Sequence, residues 1–163
     1  MIVLGVDPGL SATGYAVLEA GNGSLTVRES GCARSQSRRP VEERLRAIYD
    51  ELTDVLSRWQ PAVAVLEGLY ADYRFPRTAI MMGHVRGVIC LAAGQASARV
   101  MEVSPAEVKK ALTGSGRAGK DQIRRAVTRM LGLRTQPQSE HECDALALAL
   151  VGLAREGMDF SAE

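Results

Sequence analysis

Residues 2–10, Ile-Val-Leu-Gly-Val-Asp-Pro-Gly-Leu, constrain the fold more than any other stretch of the chain. Ile2 to Val6 is an unbroken run of apolar or small residues, too short for a helix and rich in β-branching. It predicts a strand buried on both faces. The run ends on Asp7, and Pro8-Gly9 turns the chain at once. A carboxylate at the carboxyl end of a buried strand lies where open α/β sheets bind their ligands. Alone, an Asp before Pro-Gly is more simply a turn residue.

From Thr13 to Glu19 strand character resumes, and Gly21-Asn22-Gly23 is a tight-turn signal. Leu25 to Arg34 then alternates, Leu25 and Val27 against Thr26 and Arg28, as a half-exposed strand does. The chain therefore begins as a three-stranded antiparallel meander. From Val41 to Arg58 the period changes. Val41, Leu45, Ile48, Leu52, Val55 and Leu56 recur at helical spacing, with Pro40 in the first turn and Pro61 as the stop. Ala62 to Leu66 is a second short buried strand, and it too ends on a carboxylate, Glu67. A βαβ connection makes it parallel to the first strand and brings Glu67 to the same sheet edge as Asp7.

Ala71 to Pro76 reads as a polar loop and Arg77 to Gln95 as a helix whose only charge between Thr78 and Gly94 is Arg86. So apolar a helix needs cover on two sides, and Gly83 and Gly87, one turn apart, permit a close approach. Ala98 to Val103 is a further strand. Ser104-Pro-Ala-Glu107 is a capping box that starts a helix carrying Lys109 and Lys110. Gly114 to Gly119 is a flexible basic loop leading into a helix from Lys120 to about Leu131, with Gly132 as its stop. Ser139-Glu-His-Glu142 is a second capping box. The helix it opens sets His141 and Asp144 on one face near its start, and its remainder, Ala145 to Ala154, must be buried. The expectation is one α/β domain over residues 1–163, with a five-stranded mixed sheet, three strands antiparallel and then parallel ones, and helices on both faces.

No apolar run approaches the ~18 residues of a membrane span, and no signal peptide precedes Ile2. Cys32, Cys90 and Cys143 are odd in number and set among apolar residues, as free thiols of a reducing compartment are. These features place the protein in the cytoplasm, away from membranes. Net charge is only +1, so the whole chain carries no electrostatic footprint for nucleic acid. Its three lysines, Lys109, Lys110 and Lys120, nevertheless share one twelve-residue window.

Asp7, Glu67, His141 and Asp144 are thus four potential metal ligands at the ends of three buried elements. Singly each has a plainer reading: turn residue, strand end, exposed helix start, partner of a helix dipole. Together they resemble a metal site, because carboxylates on adjacent parallel strands repel unless cations neutralise them. Two carboxylate-bridged divalent ions are the usual apparatus for in-line phosphodiester displacement.

Leu4-Gly-Val-Asp7-Pro-Gly9 with Thr13-Gly-Tyr-Ala-Val17 resembles the opening of the RuvC Holliday-junction resolvases. Ser30-Gly-Cys32, Val65-Leu-Glu67, Gly83 to Gly87, Val108-Lys109, Lys120 and Cys143-Asp144-Ala-Leu-Ala147 fall in register with that family over nearly the whole chain. The resemblance implies an RNase H-like homodimer that nicks four-way DNA junctions symmetrically, in recombination and repair, leaving 5′-phosphate and 3′-hydroxyl ends. It also implies two Mg²⁺ or Mn²⁺ ions per site on Asp7, Glu67, His141 and Asp144. Tyr70 then matches an aromatic residue that stacks on junction bases, and Lys109 and Lys120 match residues that hold DNA. A branch-migration helicase complex is a further implied partner. Many members carry Asp where His141 stands, and imidazole shifts the expected preference toward Mn²⁺. An RNase H-like nuclease of structured RNA is the alternative. An actin-like ATPase needs two domains, more than 163 residues supply.

Overall fold

The computed structural model describes residues 1–21, 23–68 and 76–158. Tyr70, the expected loop from Ala71 and Asn22 of the first turn lie outside these residues. The strands are β1 (Ile2–Asp7), β2 (Ala12–Gly21), β3 (Ser24–Arg34), β4 (Val63–Glu67) and β5 (Arg99–Val103), ordered β3-β2-β1-β4-β5 in one sheet. β1 to β3 form the antiparallel meander, and β4 and β5 continue it in parallel, as the sequence predicts. The helices are α1 (Val41–Trp59), α2 (Pro76–Gln95), α3 (Pro105–Thr113), α4 (Lys120–Met130) and α5 (Glu140–Arg155).

The two faces of the sheet bury different helices. Leu4, Val6, Val17, Ala64 and Leu66 pack against α1 and α2. Val3, Ala16, Leu18, Val63 and Val65 pack against α5, flanked by α3 and α4. β1 sits at the centre, so Val3, Leu4 and Val6 are almost wholly enclosed, each stabilising the fold by roughly 1.5–3 kcal/mol. Side chains alternate along a strand. Asp7 therefore follows Val3 and Gly5 onto the α5 face, and Glu67 follows Val63 and Val65 onto the same face. Their alignment is fixed by the β1–β4 register, which pairs Val6 with Leu66 immediately before them.

α1 buries Ile48, Leu52, Val55 and Leu56 as expected, whereas Val41, the first residue of the predicted stripe, is exposed. Pro40 is its N-cap residue, one position outside the helix. α2 turns Val85, Ile89, Ala92 and Ala93 to the core and leaves Ile80 and Leu91 more than half exposed. The two expected capping boxes are half formed. Ser104 accepts from the Glu107 amide and Ser139 from the Glu142 amide, each at 3.1 Å. The glutamates serve tertiary partners instead: Glu107 pairs with Arg155, while Glu142 accepts from Ser30 Oγ at 2.6 Å and the Gln138 amide at 2.7 Å. The loop between α3 and α4 contains a turn that sets one residue into the core. Gly114 caps α3 at φ 76°, and Ala118 is buried in the core.

Candidate active site

α5 brings its first turn to the end of β1 through a missing side chain. In the sheet Gly14 pairs with Asp7. A Cβ on Gly14 would lie 2.0 Å from the His141 carbonyl oxygen, so only glycine lets the helix start settle there. Ser30–Glu142, and Cys32 Sγ meeting Ser139 Oγ at 3.1 Å, fasten the same turn to β3. From this seat His141 Nδ1 donates to Asp7 Oδ2 at 2.6 Å, and Asp144, one turn on, stands at the rim of a cleft. Thr13, fully buried, donates to the Gly9 carbonyl at 2.8 Å and fixes the turn that follows Asp7.

The cleft, of about 340 Å³, lies between this sheet edge and the α3–α4 pair. Asp7, Glu67, Asp144, Lys109 and Lys120 all line it, so five residues singled out by sequence meet in one place. His141 touches the cleft only through Asp7. Lys120 Nζ also pairs with Glu140 at 2.7 Å.

The three carboxylates hold their protons more tightly than ordinary ones. Burial raises Asp7, and the opposing pull of the His141 hydrogen bond does not cancel it. Burial raises Glu67 first, then the charges of Asp7 and Asp144, with Lys109 and Arg86 working against them. Asp144 is pushed up to about 6, first by desolvation inside the concave rim and then by Asp7, although its side chain is exposed to solvent on one side. A set of hard oxygen donors that repel one another is suited to a hard divalent cation. Among the described residues no three Asp, Glu, His or Cys side chains converge to enclose a single ion.

Arg86 escaped the sequence reading as a site residue. It is buried on α2 and donates one Nη to the Glu67 backbone carbonyl and the other to Glu102 on β5. It thereby fixes the strand end that presents Glu67 and sets a positive charge behind the carboxylates. Its signal was visible as the only charge between Thr78 and Gly94 of an apolar helix. Thr13 gave no comparable signal, because threonine is ordinary in a strand.

A family model described as "Crossover junction endodeoxyribonuclease RuvC" matches residues 3–152. The protein of that name from Rhodopirellula baltica is 45% identical over 150 residues, covering 92% of this chain and 84% of the relative. Its namesake from Pelotomaculum thermopropionicum is 39% identical, covering 92% and 91% respectively. Among solved structures, T. thermophilus RuvC in complex with Holliday junction substrate superposes with a TM-score of 0.89 at 32% identity, covering 96% of each chain. The fowlpox virus resolvase, at 17% identity and a TM-score of 0.58, shares the fold.

Proposed function

The chain belongs to the RuvC family of crossover junction endodeoxyribonucleases, and we infer that it resolves four-way DNA junctions by paired, metal-dependent nicks. The observation that carries this reading is the meeting of Asp7, Glu67 and Asp144 with Lys109 and Lys120 in one cleft. In RNase H-like nucleases of this kind, bound divalent ions activate a water and stabilise the leaving oxygen of the phosphodiester. Asp7, Glu67 and Asp144 would hold them. Lys109 and Lys120 neutralise phosphate on the opposite wall and keep the strand against the carboxylates. His141 is hydrogen-bonded to Asp7 Oδ2, and Asp7 lines the cleft.

One RNase H-like domain, residues 1–163, acts as a homodimer through the exposed stripe of α2. Ile80 and Leu91 are its apolar ends, and nothing stands within 4 Å of a Cβ on Gly83 or Gly87. A two-fold pair offers two equivalent clefts for two symmetric cuts. A monomer in sedimentation at micromolar concentration, with cleavage intact, would remove the dimer. Tyr70 stacks on an unpaired base at the junction centre, so Tyr70→Ala should lose roughly 1–3 kcal/mol of substrate interaction and Tyr70→Phe little. Equal losses would point to the hydroxyl instead. A branch-migration helicase complex is the partner that would deliver such a substrate. The three free cysteines suit a reducing cytoplasm, and among the described residues no helix is long and apolar enough to cross a membrane.

The ends are diagnostic. Nicks placed symmetrically in two strands of like polarity, leaving 5′-phosphate and 3′-hydroxyl, are sealed by DNA ligase. Products that ligase cannot close, or cuts in one strand only, would contradict paired resolution.

His141 is expected to bias the site toward Mn²⁺, since imidazole favours softer metals. His141→Asp should move the preference toward Mg²⁺, read as the ratio of cleavage rates at limiting metal. An unchanged ratio would confine His141 to holding Asp7.

Burial of Asp144, and then its repulsion by Asp7, should also appear as stability. Asp144 binds its proton more readily in the folded state, at about 6, than in the unfolded chain. Its ionisation therefore weakens the metal-free fold as pH rises through that value, and the penalty is complete above it. Asp144→Asn should raise the metal-free Tm at pH 7.5 by about 2–4 °C, allowing about 1 kcal/mol for a side chain partly screened by solvent. The gap between the two proteins should close by pH 4. A gap that widened in acid would have the wrong sign for this origin.

A further inference from the structure

We propose that Arg86 is a positioning residue for metal binding: reaching in from the α2 face, it sets the strand end from which Glu67 presents its carboxylate to the cleft. This role rests on the metal-dependent reading above and adds to it a residue that does not line the cleft. The end of β4 has few other supports. Pairing with β1 stops at Val6–Leu66, one residue before Glu67. On the other side Glu67 pairs with Val103, and the Gly68 amide donates to the Val103 carbonyl at 2.7 Å. Arg86 adds a bond of its own, donating through Nη1 to the Glu67 carbonyl while Nη2 donates to Glu102 on β5. One guanidinium thus ties the last carbonyl of β4 to a side chain of the neighbouring strand, a span that its planar fork suits.

Two features separate this arrangement from an ordinary ion pair. The first is its cost to the fold. The Arg86 side chain is only 7% exposed, on the same buried stretch of α2 as Val85 and Ile89, whereas its partner Glu102 is 59% exposed. A buried guanidinium with a largely solvated partner gains little stability, and an apolar side chain in such a place often serves a fold as well. The second is where it acts. Glu67 follows Val63 and Val65 onto the α5 face, while Arg86 meets the Glu67 main chain from the α2 face. Arg86 therefore spends its donor on a backbone carbonyl and leaves the carboxylate oxygens to a cation. Charge and geometry then oppose each other. A positive charge behind the carboxylates repels a divalent ion, so by charge alone Arg86 hinders metal binding. Glu102 offsets that charge, and the held carbonyl limits the directions in which Glu67 can turn. Groups that orient a metal ligand from behind are typically worth about 10–100-fold in affinity or activity. The geometric gain should outweigh the repulsion.

The two contributions have opposite signs, which makes the role testable. Full-length wild type, Arg86→Met, Arg86→Lys and a control, Arg99→Met, are compared at one alkaline pH. Arg99 pairs with Glu156 at the other end of β5, so its loss removes an equal charge and an ion pair without reaching Glu67. Mn²⁺ binding to the DNA-free protein is read by electron paramagnetic resonance of the free ion and expressed per folded molecule. Cleavage of a four-way junction is followed across the same Mn²⁺ concentrations. Arg86→Met should bind Mn²⁺ about tenfold more weakly and need about tenfold more for half-maximal cleavage. Arg86→Lys keeps the charge but cannot span both acceptors, so it should recover only part of the loss. Arg99→Met should match wild type. Junction affinity in chelator should stay within about twofold of wild type in every variant, because no phosphate contact is removed. Unchanged or tighter Mn²⁺ binding in Arg86→Met, the result that charge alone predicts, would overturn the role. Should that variant not fold, wild-type binding in Arg86→Lys would overturn it equally. If wild type bound no Mn²⁺ and cut junctions without it, the metal-dependent reading would fail instead, so the two failures are distinct.

Discussion

Asp7→Asn is expected to abolish nicking while leaving the fold intact and junction binding in place. Asn keeps the shape of Asp and can still accept the proton of His141 Nδ1, which now donates to Asp7 Oδ2 at 2.6 Å. What disappears is one of three carboxylates around the cleft. Losing a group that merely supports a metal ligand costs ~10–100-fold, and losing a ligand itself should cost roughly a thousandfold or more. Stability should move the other way. The Asp7 pKa is raised because burial opposes its charge, and its ionised form repels Glu67 and Asp144, so neutral Asn should match or exceed the metal-free Tm of wild type. A gain in stability with loss of chemistry is the usual mark of an active-site charge. Junction binding, read by gel shift, should persist or strengthen as one negative charge leaves the phosphate path. Cleavage within tenfold of wild type would remove Asp7 from the chemistry.

Gly5→Ala should be among the most damaging single-methyl changes in the sheet. A Cβ there would lie 2.1 Å from the Ala145 carbonyl oxygen and 2.7 Å from the Ala149 amide nitrogen. Both are backbone atoms of α5, held by the helix's own hydrogen bonds, so no side-chain rotation relieves the clash. Either α5 lifts from β1 or the centre of the sheet buckles. Overpacking commonly costs 1–3 kcal/mol, and a collision with two backbone atoms should reach about 3 kcal/mol or more. For a chain of this length that lowers Tm by about 10 °C. Because α5 also carries His141 and Asp144, cleavage should fall further than residual folding explains. Gly21→Ala is the control, with nothing within 4 Å of its Cβ, and should stay within about 0.5 kcal/mol of wild type. Urea unfolding that placed Gly5→Ala within 1 kcal/mol of wild type would show that α5 does not depend on this approach.

The two glycines mark the limit of what the sequence made legible. Strand runs, helical periods and N-cap serines are local patterns, and each produced the element expected of it. Period-two alternation even determines that Asp7 and Glu67 share the α5 face, once the run ending in each is recognised as a strand. A glycine inside a strand reads locally only as a weak position. That Gly5 and Gly14 admit α5 depends on which helix crosses there, which only the assembled fold decides. The capping boxes failed by half for the same reason. Ser104 and Ser139 cap their helices through neighbouring amides, whereas Glu107 and Glu142 answer to Arg155 and Ser30, far away in the chain. His141 is the clearest case among the site residues. Its spacing from Asp144 placed it correctly on the helix, but its hydrogen bond to Asp7 arises from the close seat on Gly14.

This sheet edge, with its carboxylates on one wall and lysines on the other, is expected to cut four-way junctions. The most direct measurement is the cleavage rate of wild-type protein, in Mg²⁺ and in Mn²⁺, on a mobile four-way junction beside a linear duplex and an RNA–DNA hybrid of the same sequence. The expected result is metal-dependent paired nicking of the junction, absent in chelator and in Asp7→Asn, with duplex and hybrid cut at least about a hundredfold more slowly. Comparable cleavage of the hybrid or the duplex, or junction cleavage that survives chelation, would contradict the account.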